Sequence, residues 1–104
     1  MRDMVDNMAQ KLSEIELQKA CGDWPNWHLA EDGSAFSREF VFSGFNAAFG
    51  FMTSVALAAE RANHHPEWSN IYNRVTVRWT THSVDGVSDL DLKLMKRCEE
   101  LAGV

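Results

Sequence analysis

The feature that most constrains the fold is a long apolar stretch, residues 45–62, which has no proline and few polar side chains. Its apolar residues fall at helical spacing in two adjacent stripes. One stripe contains Phe45, Phe49, Met52, Ala56 and Ala59, and the other contains Ala48, Phe51, Val55 and Ala58. The stretch therefore predicts a helix that starts at Ser43 or Gly44 and is stopped by Pro66.

This predicted helix is apolar over most of its circumference, whereas a surface helix needs only one apolar stripe. A chain of 104 residues cannot build a core that covers all of that surface. Large exposed apolar patches mark interaction surfaces. We therefore expect the residual face of the helix to pack on another subunit.

Two serines are predicted to open the remaining helices. Ser13 and Ser88 each place a hydroxyl at an N-cap position and a carboxylate three residues further on, which is a capping-box pattern. The first helix is expected to end at residues 21–23, with Gly22 as a left-handed cap. The last helix is expected to cover roughly residues 89–102.

The stretches between the helices have the composition of strands. Residues 27–30 and 35–42 predict two strands joined by a turn at 31–34, and residues 70–82 predict a long strand. Residues 66–82 supply either two strands or one bent strand. The order of elements predicts an α+β fold, with an antiparallel sheet covered on one face by helices.

Length and composition indicate one domain, residues 11–104, after a flexible N-terminus at residues 1–10. The net charge is −5, with 10 Lys and Arg against 15 Asp and Glu and no basic run, so no direct nucleic-acid binding is expected. No apolar run reaches the ~18 residues of a membrane span, and no signal-peptide core is present. The two cysteines do not suggest a secreted scaffold, which favours the cytoplasm.

Three histidines are the candidate catalytic residues: His64 and His65 follow the long helix, and His82 ends the third strand. Glu60 lies one helical turn before His64, on the same face. Imidazole suits proton transfer near neutral pH, and a dehydration needs one acid and one base. Two other interpretations of these histidines stay open at this point. A His-His-Pro sequence is often a turn feature, and histidines also bind metals, although no metalloprotease spacing occurs.

Aromatic and acidic side chains supply further candidates. Trp27, Trp68 and Trp79 could stack on a flat heterocycle, but a tryptophan belongs more often to a core or an interface. Asp91 could face a binding pocket, although its position near the start of the last helix already explains it.

A family resemblance rests on one extended motif and its surroundings. The motif comprises Glu60-Arg61-Ala62-Asn63-His64-His65-Pro66-Glu67-Trp68, then Tyr72, Val75, Thr81-His82, Gly86 and Asp91. With the preceding residues 45–52, it resembles the signature of the pterin-4a-carbinolamine dehydratases. The resemblance extends from about Trp27 into the last helix. The resemblance is specific because a His-His-Pro-x-Trp sequence is followed, at the right distance, by Thr-His and Gly-x-Ser-x-x-Asp.

The resemblance implies a four-stranded antiparallel sheet with three helices on one face, in a homotetramer or homodimer. It implies conversion of a 4a-hydroxytetrahydropterin to quinonoid dihydropterin and water, which recycles the cofactor of aromatic amino acid hydroxylases. No metal or organic cofactor is expected. By position, His64, His65 and His82 match the catalytic histidines. We expect His64 and His82 to form the acid/base pair and His65 to bind substrate.

The resemblance also implies three substrate-binding residues and one rival function. Glu60, Trp27 and Asp91 match positions that line the pterin pocket of the family. Some members also act as a dimerisation cofactor of a transcription factor, so the alternative is an interaction protein with such a partner. That role would extend the expected location to the nucleus in a eukaryote.

Overall fold

The computed structural model describes residues 9–104, so the predicted flexibility of residues 1–8 lies outside the described part of the chain. Its helices are α1 (Glu14–Asp23), α2 (Phe45–Ala62) and α3 (Asp89–Ala102). Its strands are β1 (His28–Leu29), β2 (Phe36–Val41), β3 (Glu67–Ile71) and β4 (Arg74–Trp79), and a short 3-10 helix covers His82–Val84. None of these helices is both long and apolar enough to cross a membrane.

The strands form one antiparallel sheet in the order β1-β2-β4-β3. Phe36 pairs with Trp79 and Trp68 pairs with Val77, so these side chains share the face that meets the helices. The core on this face combines Phe36, Phe40, Val75, Val77 and Trp79 with Ala48, Phe51, Val55, Ala59, Leu94, Met95 and Cys98 of the helices. The predicted α+β fold, with three helices over a four-stranded sheet, is confirmed.

Both predicted capping boxes are present. The Ser13 hydroxyl accepts from the backbone N–H of Glu16, whose carboxylate accepts from the backbone N–H of Ser13. Asp91 closes the equivalent box of α3 by accepting from the backbone N–H of Ser88. The first helix ends at Asp23, within the predicted range 21–23. The predicted left-handed cap at Gly22 was wrong, because Gly22 lies inside α1 and does not have a positive φ.

Residues 66–82 form a hairpin rather than one long strand. β3 and β4 are connected at residues 72–73, where Tyr72 has a positive φ of 49°. The long helix covers the predicted residues 45–62, and it ends three residues before Pro66 because Asn63 adopts a left-handed conformation with φ 52°. Asn is one of the few residues besides Gly that takes up this conformation readily, so it ends a helix without the need for a proline.

The two stripes of α2 differ in burial. Ala48, Phe51 and Val55 are buried in the core, whereas Phe45 and Phe49 of the other stripe are 49% and 54% exposed. Packing of this exposed face on another subunit stays a prediction.

Candidate functional site

The left-handed turn at Asn63 directs the two adjacent histidines to different environments. The His64 backbone N–H donates to the carbonyl of Ala59, which folds the chain back under the end of α2. The side chain of His64 is then only 5% exposed, whereas that of His65 is 45% exposed. The sequence His-His-Pro therefore places one imidazole, His64, in the interior and the next one, His65, at the surface.

His64 belongs to a buried hydrogen-bonded cluster built from the end of the sheet and the start of α3. Its Nε2 lies 2.6 Å from Oδ1 of Asp91. The other oxygen of Asp91 accepts from the Thr81 hydroxyl at 2.7 Å and from the Ser88 backbone N–H at 2.8 Å. The Thr81 and Ser88 hydroxyls are themselves 2.7 Å apart. Because Asp91 is fully buried, these contacts are what allow a carboxylate to remain there.

Trp79 extends the buried cluster into the apolar core. The His64 ring stacks on Trp79 with 5.8 Å between ring centroids and 19° between planes. Beyond Trp79, burial raises the pKa of the Cys98 thiol to about 12. The His64 ring is therefore fixed by Asp91 in its plane and by Trp79 against its face.

The exposed histidines each contact a surface carboxylate. His65 Nε2 lies 2.8 Å from Glu60 Oε1, and His82 Nε2 lies 3.1 Å from Glu67 Oε2. Glu60 therefore contacts His65, although its helical spacing led us to place it beside His64. The other oxygen of Glu67 accepts from Arg78.

Two contacts bring the histidines of separate elements to one end of the sheet. Glu67, which contacts His82, follows His65 by only two residues in the chain. His64 Nε2 is 3.4 Å from the hydroxyl of Thr81, which directly precedes His82. The three histidines therefore surround the junction between the start of β3 and the residues that follow β4, with Asp91 beneath it.

Not every candidate joins this junction. Trp27 precedes β1, at the edge of the sheet opposite β3, where its indole N–H donates to Glu99 and its ring packs on Phe40. Trp68 is half-buried on the helix side of β3 and packs against the core. The contacts of both residues are those of core residues, and a pterin-binding role for Trp27 stays a prediction.

Two residues of the buried cluster were not among the candidate site residues predicted from the sequence. Thr81 was named only within the family motif and Ser88 only as a helix cap, yet both hydroxyls belong to the cluster around Asp91. One feature of the sequence could have indicated this cluster. Asp91 is the third residue of a capped helix, and a carboxylate at that position has hydrogen-bond partners close by in the chain. Among residues 9–104, no group of three or more His, Cys, Asp or Glu side chains is arranged to hold a metal ion.

Comparison with known proteins gives consistent matches over most of the chain. A family model described as "Pterin 4 alpha carbinolamine dehydratase" matches residues 10–101. A protein of Chelativorans sp. strain BNC1 named "Putative pterin-4-alpha-carbinolamine dehydratase" is 50% identical over 93 residues, which cover 89% of this chain and 95% of that protein. A protein of the same name from Bordetella avium is 44% identical over 91% of this chain and 88% of its own length.

Solved structures extend the comparison to three dimensions. The crystal structure of a "transcriptional coactivator/pterin dehydratase" from Brucella melitensis has a TM-score of 0.86 and 42% identity, and the match covers 90% of this chain and all of that one. A pterin dehydratase-like protein identified as a RuBisCO assembly factor has a TM-score of 0.66 at 16% identity. That match covers 75% of this chain and 90% of the other, and it shows a shared fold only.

Proposed function

The chain belongs to the pterin-4a-carbinolamine dehydratase family, and from this premise we propose that it dehydrates 4a-hydroxytetrahydropterin to quinonoid dihydropterin. The product would return to the pterin cofactor pool of aromatic amino acid hydroxylases. The observation that carries the proposal is the pair of exposed histidines at one end of the sheet, each with a carboxylate partner. Both imidazoles are accessible to a substrate, as an acid and a base must be.

Burial leads us to assign the roles among the histidines differently from the sequence expectation. That expectation paired His64 with His82 as acid and base. His64 is 5% exposed and its Nε2 already contacts Asp91, so this nitrogen is not free to meet a substrate. We assign the acid/base pair to His65 and His82, and we assign His64 and Asp91 to the support beneath them.

The proposed reaction needs only proton transfers. One imidazolium donates a proton to the 4a-hydroxyl, the C4a–O bond breaks, and water leaves. The proton on N5 passes to the other imidazole, and the N5–H electron pair forms the N5=C4a double bond. Glu60 and Glu67 would hold His65 and His82 in position, because each carboxylate accepts from a ring nitrogen.

The test is the dehydration of freshly generated 4a-hydroxytetrahydropterin, followed by ultraviolet absorbance with and without the protein. Acceleration that is unchanged by a chelator is the expected result. No acceleration would contradict the proposed activity. Acceleration that the chelator abolishes would contradict histidine catalysis without a metal.

A second candidate function, protein interaction, is favoured by the exposed apolar face of α2. Phe45 and Phe49 lie 5.7 Å apart between ring centroids on this face, and Leu57 is also exposed. Such a surface would join subunits into a homodimer or homotetramer, or would hold a transcription-factor partner. The Brucella melitensis relative is described as a transcriptional coactivator as well as a pterin dehydratase.

The oligomeric role predicts a specific effect of a charge on α2. Phe49→Glu should shift the protein to a smaller species in sedimentation, because the charge would have to be desolvated at the interface. Ile15→Glu, which changes an apolar residue on α1 that is even more exposed, is the control and should leave the assembly unchanged. Identical sedimentation of wild type and Phe49→Glu would contradict an interface on this face.

The location that fits this activity is the cytoplasm. Cys21 and Cys98 are both free thiols, which is in keeping with a reducing compartment.

A further inference from the structure

A groove between α2 and α3 is separate from the histidine junction and has no role in the proposed dehydration. Its volume is about 400 Å³, and four basic side chains line it. Arg61 comes from α2, and Lys93, Lys96 and Arg97 come from α3. We call this feature the basic groove.

Positive charge is concentrated in the basic groove. The sequence has 10 Lys and Arg, of which Arg2 precedes the described residues, so four of the remaining nine line this groove. Most basic residues elsewhere are neutralised by ion pairs. These pairs are Lys19 with Asp23, Arg38 with Glu99, Arg74 with Glu39, and Arg78 with Glu67.

Inside the basic groove, most of the positive charge lacks an ionic partner. Arg97 contacts Glu100 at 3.3 Å, and Glu100 is the only carboxylate that lines the groove within residues 9–104. Arg61, Lys93 and Lys96 make no ion pair with any residue in the same range. Like charges three or four residues apart on a helix repel each other, so this arrangement is mildly unfavourable in the empty protein. A ligand with several negative charges would remove the repulsion.

The floor of the groove is apolar. Ala58 and Ala62 of α2 and Leu94 of α3 line it, and the two small alanine side chains leave the space open. A volume of about 400 Å³ is in the range of small-molecule sites, ~300–1,000 Å³. An α-helix with its side chains is ~10–12 Å wide, so even two of its turns would overfill the groove. The dimensions therefore favour a small molecule over an acidic peptide helix.

From this combination of charge, volume and floor we propose that the basic groove binds a small organic polyanion of the nucleoside diphosphate class. The two or more negative charges would contact Lys93, Lys96 and the arginines, whose planar guanidinium groups bind phosphate oxygens in pairs. The flat base would lie on the floor formed by Ala58, Ala62 and Leu94. The assignment does not depend on the dehydratase activity.

The test is isothermal titration of the intact protein with adenosine diphosphate, alongside adenosine and inorganic pyrophosphate. Saturable binding of adenosine diphosphate is expected, with weaker binding of pyrophosphate, which lacks the flat body, and of adenosine, which lacks the charge. Binding should weaken as sodium chloride is raised, because salt screens exposed charges. Absence of saturable binding would overturn the proposal, and so would equal affinity for adenosine or for pyrophosphate.

Two variants with the same change in net charge test whether the ligand binds in the basic groove. Lys96→Glu should weaken adenosine diphosphate binding about three- to tenfold, because one exposed attraction is replaced by a repulsion. Lys19→Glu reverses an exposed lysine on α1 and should bind like the wild type. Equal affinities of the two variants would overturn the groove as the site. Pterin turnover plays no part in the readout, so a failure of the proposed dehydratase activity would leave this result unaffected.

Discussion

The histidines of this protein occupy two contrasting environments, although His64 and His65 are neighbours in the chain. His64 is bonded to the buried Asp91, which also accepts hydrogen bonds from Thr81 and Ser88. The exposed His65 and His82 contact the surface carboxylates of Glu60 and Glu67. A buried network is held in one arrangement, whereas exposed ion pairs are weak and easily exchanged with water. The contrast teaches that the fold separates a buried, hydrogen-bonded support at His64 from two imidazoles that are exposed to solvent.

The largest expected effect is a loss of stability on removal of the buried carboxylate of Asp91. Asp91→Ala should lower the free energy of unfolding by about 3–5 kcal/mol, because His64, Thr81 and the Ser88 backbone lose their common acceptor inside the protein. Urea unfolding followed by tryptophan fluorescence measures this loss. Glu67→Ala on the exposed side should cost no more than about 1 kcal/mol. Equal losses in the two variants would remove the contrast between the environments.

A second effect of burial concerns the dependence of the free energy of unfolding on pH. Burial raises the pKa of the Cys98 thiol to about 12, whereas in the unfolded chain the thiol ionises near its ordinary value of about 9. Because the pKa of Cys98 is higher in the folded protein, the contribution of this thiol to the free energy of unfolding is fully present below about pH 9. That contribution is lost as the pH rises to about 12.

The free energy of unfolding should therefore fall between about pH 9 and pH 12, by up to about 4 kcal/mol from this group. The contribution is isolated by the difference between the wild type and Cys98→Ala, each unfolded in urea across this range. The fall should be smaller in the variant. Parallel pH profiles of the two proteins would show that Cys98 is not isolated from solvent.

The smallest expected effect belongs to the carboxylates of the exposed side. Glu67→Gln removes the charge that holds His82, and it should lower kcat for dehydration about fivefold or less, because an exposed ion pair contributes ~0.2–1 kcal/mol. The stability should stay close to that of the wild type. Glu39→Gln is the control, since Glu39 pairs with Arg74 on the same sheet and contacts no histidine. Equal kcat values in both variants would mean that Glu67 does not position His82.

The sequence predicted those parts of the fold that depend on local signals. Ser13 and Ser88 mark the starts of α1 and α3 because a cap and its carboxylate partner lie within four residues. The end of α1 fell within the predicted range, but the prediction of Gly22 as its cap was wrong, because the helix continues one residue beyond Gly22. A glycine permits a left-handed turn but does not enforce one.

The candidate site was predicted in its residue types but not in its environments. The histidines and Asp91 were all identified, yet the sequence did not tell which imidazole is buried. That depends on the left-handed Asn63, and on Thr81 and Asp91, which lie 18 and 28 residues beyond it in the chain and meet His64 only after folding. Spacing along a helix placed Glu60 beside His64, but the helix ends before His64 and the rule no longer applies there.

The central claim is that the two exposed histidines carry the protons of the dehydration. The most direct measurement is kcat for 4a-hydroxytetrahydropterin dehydration by His65→Ala and His82→Ala, with the unfolding free energy of each variant determined in parallel. The account predicts that each variant loses about 10²–10⁴-fold in kcat and retains nearly the stability of the wild type. Turnover close to that of the wild type in both variants would contradict the claim.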